Sequence, residues 1–389
     1  MGGLFVGRGR KARRCYGFDE IALVPGEVTI NPEEVNISFT VGKAEVKVPI
    51  IASAMDGVVD PDFAVAFSKL GGLAVLNLEG IYVRYEDPSD ILDKIARATP
   101  QQATQLVQEM YTVPIKEKLI SQRVAYIKKK GGIAVVSSLP QKAERLAKIC
   151  EEAGCDIFVI QSTVTTVRHL STAYKVVDFK KLTKRTKMPI IVGNSVTYRV
   201  AIELMETGIA GLLIGIGPGS ACTSRGVLGI GVPQVTATVD SAAARDDFYK
   251  KTGKYIPIIT DGGMSTGGEI CKAFACGADA VMIGSAFARA KEAPGRGYHW
   301  GMATPHPNLP RGTRIHVGTT GTLKQILFGP AQMDDGTQNL VGALQTCMGN
   351  VGARNIRELQ QTEIIIAPAI RTEGKVFQAA QNIGMAKRG

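Results

Sequence analysis

The stretch PIITDGGMSTGGEICKAFACGADAVMIGSA, residues 257–286, decides how the chain folds. It opens on an apolar run that ends in an acid and two glycines, passes through a helix-like segment, and closes in a second apolar run, AVMIGSA (280–286). Continuous apolar runs, as opposed to alternating ones, mark strands of a parallel sheet covered by helices. Six earlier runs repeat the pattern: PIIASAMD (49–56), LAVLNLEG (73–80), IAVVSS (133–138), IFVIQS (157–162), PIIVGNS (189–195) and GLLIGIG (211–217). Between them lie segments such as QKAERLAKICEEAGC and VTYRVAIELMETGIA, with apolar spacing of three and four and a glycine near the end. Eight such units between Ile50 and Ala286 are close in length to the roughly 250 residues of a TIM (β/α)8 barrel. An open doubly wound sheet has little support, because no GxGxxG opens a helix after the first strand. GIGPGS follows the sixth strand and leads into Ala-Cys-Thr-Ser instead.

The chain reads as one catalytic barrel domain over 1–389, with a basic arm at 1–15, a polar, partly helical insertion at 81–130 and a short flap at 290–330. With 45% apolar and 21% charged residues it has the balance of a soluble globular protein. No apolar run approaches the ~20 residues of a membrane span, and no signal-peptide segment opens the chain, so a cytoplasmic location is expected. The net charge of +11 suits an enzyme that attracts phosphorylated metabolites. Nucleic-acid binding is the weaker reading, since the basic clusters lack interleaved aromatics. Seven cysteines, without a CxxC pair or a histidine cluster, exclude a zinc site of familiar spacing and point to reduced thiols. Cys150, Cys155, Cys271 and Cys276 fall in helix-like stretches as small buried side chains.

Cys222 stands apart. It lies in IGIGPGSACTSRGVLGIGVPQ (214–234), where Gly215, Gly217 and Gly219 let the backbone approach a ligand. Ser220, Thr223 and Ser224 place hydroxyls beside the thiol, and Arg225 adds a positive charge that favours thiolate. That is a setting for a nucleophile.

This loop resembles the catalytic cysteine loop of the inosine monophosphate dehydrogenase and guanosine monophosphate reductase family, whose pattern is close to GxGxGSxCTTR followed by GxPQ. The resemblance extends to YGFDEIALVP (16–25), SAMD (53–56), VGN (192–194), residues 261–285 and WGM (300–302), and so covers most of the chain. It implies a purine mononucleotide, GMP or IMP, with Asp261 on the ribose hydroxyls and Gly262, Gly263, Gly284, Ser285 and Ser220 around the phosphate. Ser53, Met55 and Asn194 are implied around the base and the nicotinamide, and Gly301 and Met302 at the purine edge. Gln161, Ser162 and Gly215 are implied for a nicotinamide dinucleotide, with Gln161 where the family usually has Asp. The carbonyls of Gly217, Gly219 and Cys222 are implied for K+. Cys222 would attack C2 of the purine, with Ser224 and Thr223 supplying hydroxyls for proton relay. Family members commonly assemble as homotetramers.

The family's dehydrogenases carry an Arg-Tyr pair on a long flap and often a regulatory module near residue 80. Here the flap is ATPHPNLPRGTRIHVGTTG without Arg-Tyr, and no such module fits. NADPH-dependent GMP reductase is therefore the expected activity, ahead of NAD-dependent IMP dehydrogenase and of a catalytically silent nucleotide-binding paralogue. Arg311 replaces the flap acid of the family, so His299, His306 or Glu269 is expected to supply the acid-base group.

Overall fold

The computed structural model describes residues 4–384; the first three residues of the basic arm lie outside the described residues. Eight parallel strands close into a barrel: β1 (Ile50–Ala52), β2 (Leu73–Asn77), β3 (Val135–Ser138), β4 (Ile157–Gln161), β5 (Ile190–Ser195), β6 (Gly211–Ile214), β7 (Ile258–Asp261) and β8 (Ala280–Ile283). Closure comes from β8 against β1, in the register Val281↔Ile50, Met282↔Ile51 and Ile283↔Ala52. Each of the eight apolar runs contains one of these strands.

The runs read as continuously apolar because both faces of every strand are buried. Ile51, Val75, Val159, Leu213, Ile259 and Met282 point into the barrel, where they meet Phe39, Val41 and Val46 of an antiparallel hairpin, Phe39–Val41 with Ala44–Val46. That hairpin fills the barrel at the end where Gly42 approaches Pro189, the residue before β5. The alternate residues, among them Ile50, Leu76, Phe158, Val192 and Ile283, face the surrounding helices. Helices Pro140–Glu152 and Tyr198–Met205 fall where the apolar spacing of three and four predicts them, and Gly154 and Gly208 follow them with positive φ.

The 81–130 stretch needs a correction in extent. Its last helix, Glu117–Lys129, packs between helices Pro61–Lys69 and Pro140–Glu152 as an ordinary member of the outer ring. The part added to the repeat is 81–116, with helices Ser89–Arg97 and Pro100–Met110. Beyond β8, Tyr298–His299 pairs with Ile315–His316 at the base of the flap, and helix Leu340–Val351 packs on Gly267–Ala275. Among the described residues no helix is long and apolar enough to cross a membrane. All seven cysteines are free thiols, and Cys150, Cys155, Cys271 and Cys276 are buried.

Candidate active site

The carboxyl ends of the strands gather the polar residues that the sequence scatters over more than two hundred positions. Asp261 ends β7, and its Oδ2 accepts Nε2 of Gln161 at the end of β4 (2.9 Å) and Nδ2 of Asn194 at the end of β5 (2.8 Å). Its Oδ1 takes no hydrogen bond from the described residues and remains for a ligand. Burial pushes the Asp261 carboxyl up to about 6, against the opposing effect of the two amides. Helix Gly267–Ala275 is capped by Thr266 with Glu269, so Asp261 has no capping duty.

Gly262 and Gly263 both have φ +79, which a side chain adopts only with strain. The Gly262 amide is spent on the Met282 carbonyl (3.0 Å), a correction to its expected place at a phosphate; the Gly263 amide has no backbone partner among the described residues. Ser285, just past β8, reaches Ser220 of the cysteine loop, Oγ to Oγ 2.5 Å, and Nε2 of His299 at 3.1 Å. Ser53 is tied by its amide to the Ile283 carbonyl (3.0 Å), and Met55 lies over Gly284, with its sulfur 2.7 Å from where a Cβ would stand. Gly301 and Met302 follow the buried Trp300, and the Gly301 carbonyl accepts the Thr304 amide (3.1 Å).

Cys222 is half-buried at the mouth. Its thiol donates to Ser224 Oγ at 3.3 Å and lies 3.6 Å from the Arg311 carbonyl. Ser224 is fully buried, and Thr223 is half-buried at the start of helix Ser224–Leu228. The flap lies directly on this loop: Thr223 N donates to Arg311 O (2.9 Å), Thr313 N donates to Ala221 O (2.9 Å), and Gly312 stands opposite Cys222.

Several expectations change. Arg225 acts on Cys222 only through the interaction of their charges, because its hydrogen bonds go elsewhere. Its Nε and Nη2 bind the Ile216 and Val232 carbonyls (3.0 and 2.9 Å), and burial lowers its pKa. It buckles the loop. The Gly219 carbonyl accepts the Cys222 amide (3.0 Å), and Gly217 packs on the Arg225 side chain, so the loop's shape rests on these bonds. Gly215 is buried where a Cβ would collide with the Asp261 carbonyl and the Gln234 amide, a packing role. Gln161 joins Asp261, and Ser162 ties β4 to Val164 and Thr165 at 2.9 Å each. None of the three candidates for the acid-base group reaches Cys222. Glu269 accepts the Ser265 and Thr266 amides, His306 accepts the Leu309 amide, and His299 is buried behind Ser285 with its pKa lowered to about 4 by burial and the Arg289 charge.

The sequence reading passed over two groups. Gln234 donates from one buried amide to the Ile214 and Asp261 carbonyls, joining β6 and β7 beneath the site. Asp56, with its carboxyl raised to about 6 by burial, binds the Ile81 amide and the Tyr111 hydroxyl. The SAMD and VPQ motifs held both residues, but a motif does not show what its last member touches.

A family model described as IMP dehydrogenase / GMP reductase domain matches residues 15–303. The chain belongs to the IMP dehydrogenase / GMP reductase family. An uncharacterized oxidoreductase from Mycobacterium leprae is 36% identical, over 93% of this chain and 99% of its own length. An inosine-5'-monophosphate dehydrogenase from Cryptosporidium parvum is 30% identical over 371 residues, 88% of this chain and 89% of that one. The crystal structure of an IMP dehydrogenase/GMP reductase-like protein from Corynebacterium glutamicum superposes with a TM-score of 0.89 at 33% identity, covering 94% of this chain and 97% of that one. Membership in the IMP dehydrogenase / GMP reductase family makes this chain an oxidoreductase and implies a purine mononucleotide and a nicotinamide dinucleotide as its ligands.

Proposed function

We propose that this member of the family is an IMP dehydrogenase working through a covalent adduct on Cys222. The observation that carries the adduct chemistry is the half-buried Cys222 thiol, hydrogen-bonded to a buried Ser224 hydroxyl, on the same barrel rim as Asp261 and Ser285. The Cys222 sulfur adds to C2 of the base, and the thiol proton passes through the Ser224 hydroxyl, which gives up its own, to the ring nitrogen whose double bond to C2 is opened. Asp261 Oδ1 takes a ribose hydroxyl, and Ser220, Ser285 and the Gly263 amide face the phosphate. The residues present fit a second, hydroxyl-bearing ligand as well: Gln161 Oε1 and Asn194 Oδ1 are buried acceptors without a partner among the described residues. A bound oxidised nicotinamide supplies the hydride acceptor. Water then attacks C2 of the adduct, the C–S bond breaks, and xanthosine monophosphate leaves with the thiol restored.

The direction rests on likeness to the Cryptosporidium dehydrogenase. Absence of the regulatory module does not favour the reductase, because the Cryptosporidium dehydrogenase aligns over nearly its whole length and is thus a chain of similar size. One observation favours the alternative, an NADPH-dependent GMP reductase: the flap lacks Arg-Tyr and is fastened by backbone bonds to the cysteine loop, which leaves little room for a hydrolytic base to swing in. Purified protein given IMP with NAD, and separately GMP with NADPH, decides between them. NADH and xanthosine monophosphate are expected from the first mixture. Ammonia and IMP from the second would reverse the assignment, and saturable binding without turnover in either would leave a silent paralogue. Potassium dependence and tetrameric assembly belong to the same reading, and titration of K+ against Na+ and light scattering test them.

A further inference from the structure

We propose that Arg314 is a positioning residue that fastens the flap over Cys222 to the 81–116 insertion, so that the insertion governs how readily the thiol is uncovered. The inference rests on Cys222 being the reacting group, and on neither direction of the reaction. The flap is held from two sides. On one side Arg311 and Thr313 bond to Thr223 and Ala221 across the Cys222–Gly312 bridge. On the other, the next residue, Arg314, sends its guanidinium to the end of helix Ser89–Arg97: Nη1 binds the Ile95 and Ala96 carbonyls, the latter at 3.2 Å, and Nη2 binds that of Ala98 at 2.8 Å.

The chemistry favours this lock. The last carbonyls of a helix have no partner within it and carry partial negative charge, which a guanidinium satisfies in number and in sign. The planar fork reaches three acceptors at once, which an ammonium on a flexible stem does not. The same guanidinium lies over the Tyr298 ring at 4.5 Å, within the ribbon at the base of the flap. Two weaker ties run in parallel. Gln108 Nε2 donates to the His306 carbonyl (3.1 Å), and Trp300 Nε1 donates to the Tyr111 hydroxyl (2.9 Å), which donates in turn to Asp56. The insertion's two helices bury few apolar side chains, Ile91 and Ile95 on one and Ala103 and Val107 on the next, while Ile81, Tyr82 and Val83 anchor its start. An element with so few buried apolar side chains opens more cheaply than the barrel. The cover over Cys222 is thereby coupled to the two helices of the insertion.

The test follows alkylation of the full chain by iodoacetamide, read by mass spectrometry at the peptide holding Cys222, in wild type, Arg314→Met, Arg314→Lys and Gln108→Ala. A stabilising contact of this kind is worth about a tenfold change in opening, so Arg314→Met should label Cys222 roughly ten times faster. Gln108→Ala should give a smaller rise and Arg314→Lys an intermediate one, while Cys15 and Cys347, also half-buried but outside the flap, keep their wild-type rates. Should Arg314→Met fail to fold by circular dichroism, the other two variants decide. Equal Cys222 rates in the folded variants overturn the proposal, and so does an equal rise at all three cysteines, which would report general loosening. In an active preparation the nucleotide KM should rise more than kcat falls. If no nucleotide is turned over, the functional reading fails while the labelling result stands by itself.

Discussion

The proposed function places the chemistry on two residues, which can be tested separately. Cys222→Ala removes the atom proposed to bond to C2, so turnover should vanish while nucleotide binding by equilibrium dialysis persists. Retained turnover would refute the covalent route. Asp261 offers a pH signature. Its carboxyl is raised to about 6, so it is ionised and able to accept ribose hydroxyls at neutral pH, and it takes up a proton as the pH falls through about 6. The nucleotide KM should therefore climb below pH 6.5 in the wild type and stay flat across that window in Asp261→Asn. His299 adds nothing to that profile, because its pKa near 4 keeps it neutral there. Cys222 and Asp261 were both legible in the sequence, from a glycine-rich polar loop and from a strand that ends in Asp-Gly-Gly. So was the Ser224 hydroxyl beside the thiol, but the flap contact on its other side was not. The Arg311 carbonyl meets the thiol from 89 positions away, and a carbonyl leaves no mark on side-chain composition.

At the scale of elements, the site is a contact between the cysteine loop, the turn after β7 and the flap, and glycines make those contacts possible. A Cβ on Gly312 would stand 2.6 Å from Thr304 Oγ1 and 3.3 Å from the Ala221 carbonyl. Gly312→Ala should push the flap off the loop and raise KM severalfold, and Thr304→Ala in the same chain should recover much of the loss by removing the nearest obstacle. Steady-state kinetics of the single and double variants check this. Gly262→Ala places a side chain at φ +79 and should lower stability by roughly 1–2 kcal/mol in urea unfolding. The strands themselves were legible because each is buried on both faces. The insertion's extent was not, since helix Glu117–Lys129 carries the same polar exposed face whether it belongs to the ring or to an addition.

For the whole molecule, stability and reactivity sit at opposite ends of one barrel. Val41 is fully buried in the hairpin that fills the closed end. Val41→Ala should cost about 2 kcal/mol of unfolding free energy and leave kcat and KM unchanged. A change in kcat would mean that the two ends are mechanically coupled. The basic arm also has a local use: Arg13 pairs with Asp240, and Arg14 with Glu20 at 3.7 Å, so part of its charge is engaged within the chain.

The sequence by itself determined the eightfold repeat, the glycine-rich loop around Cys222 and the family, because burial on two faces, loop glycines and motif order are properties of consecutive residues. Only the tertiary structure decided that Arg225 buckles the loop, that the Gly262 amide is already used, and that Arg314 ties flap to insertion. Each of those depends on which distant carbonyl a donor meets, and chain closure sets that pairing where local order cannot.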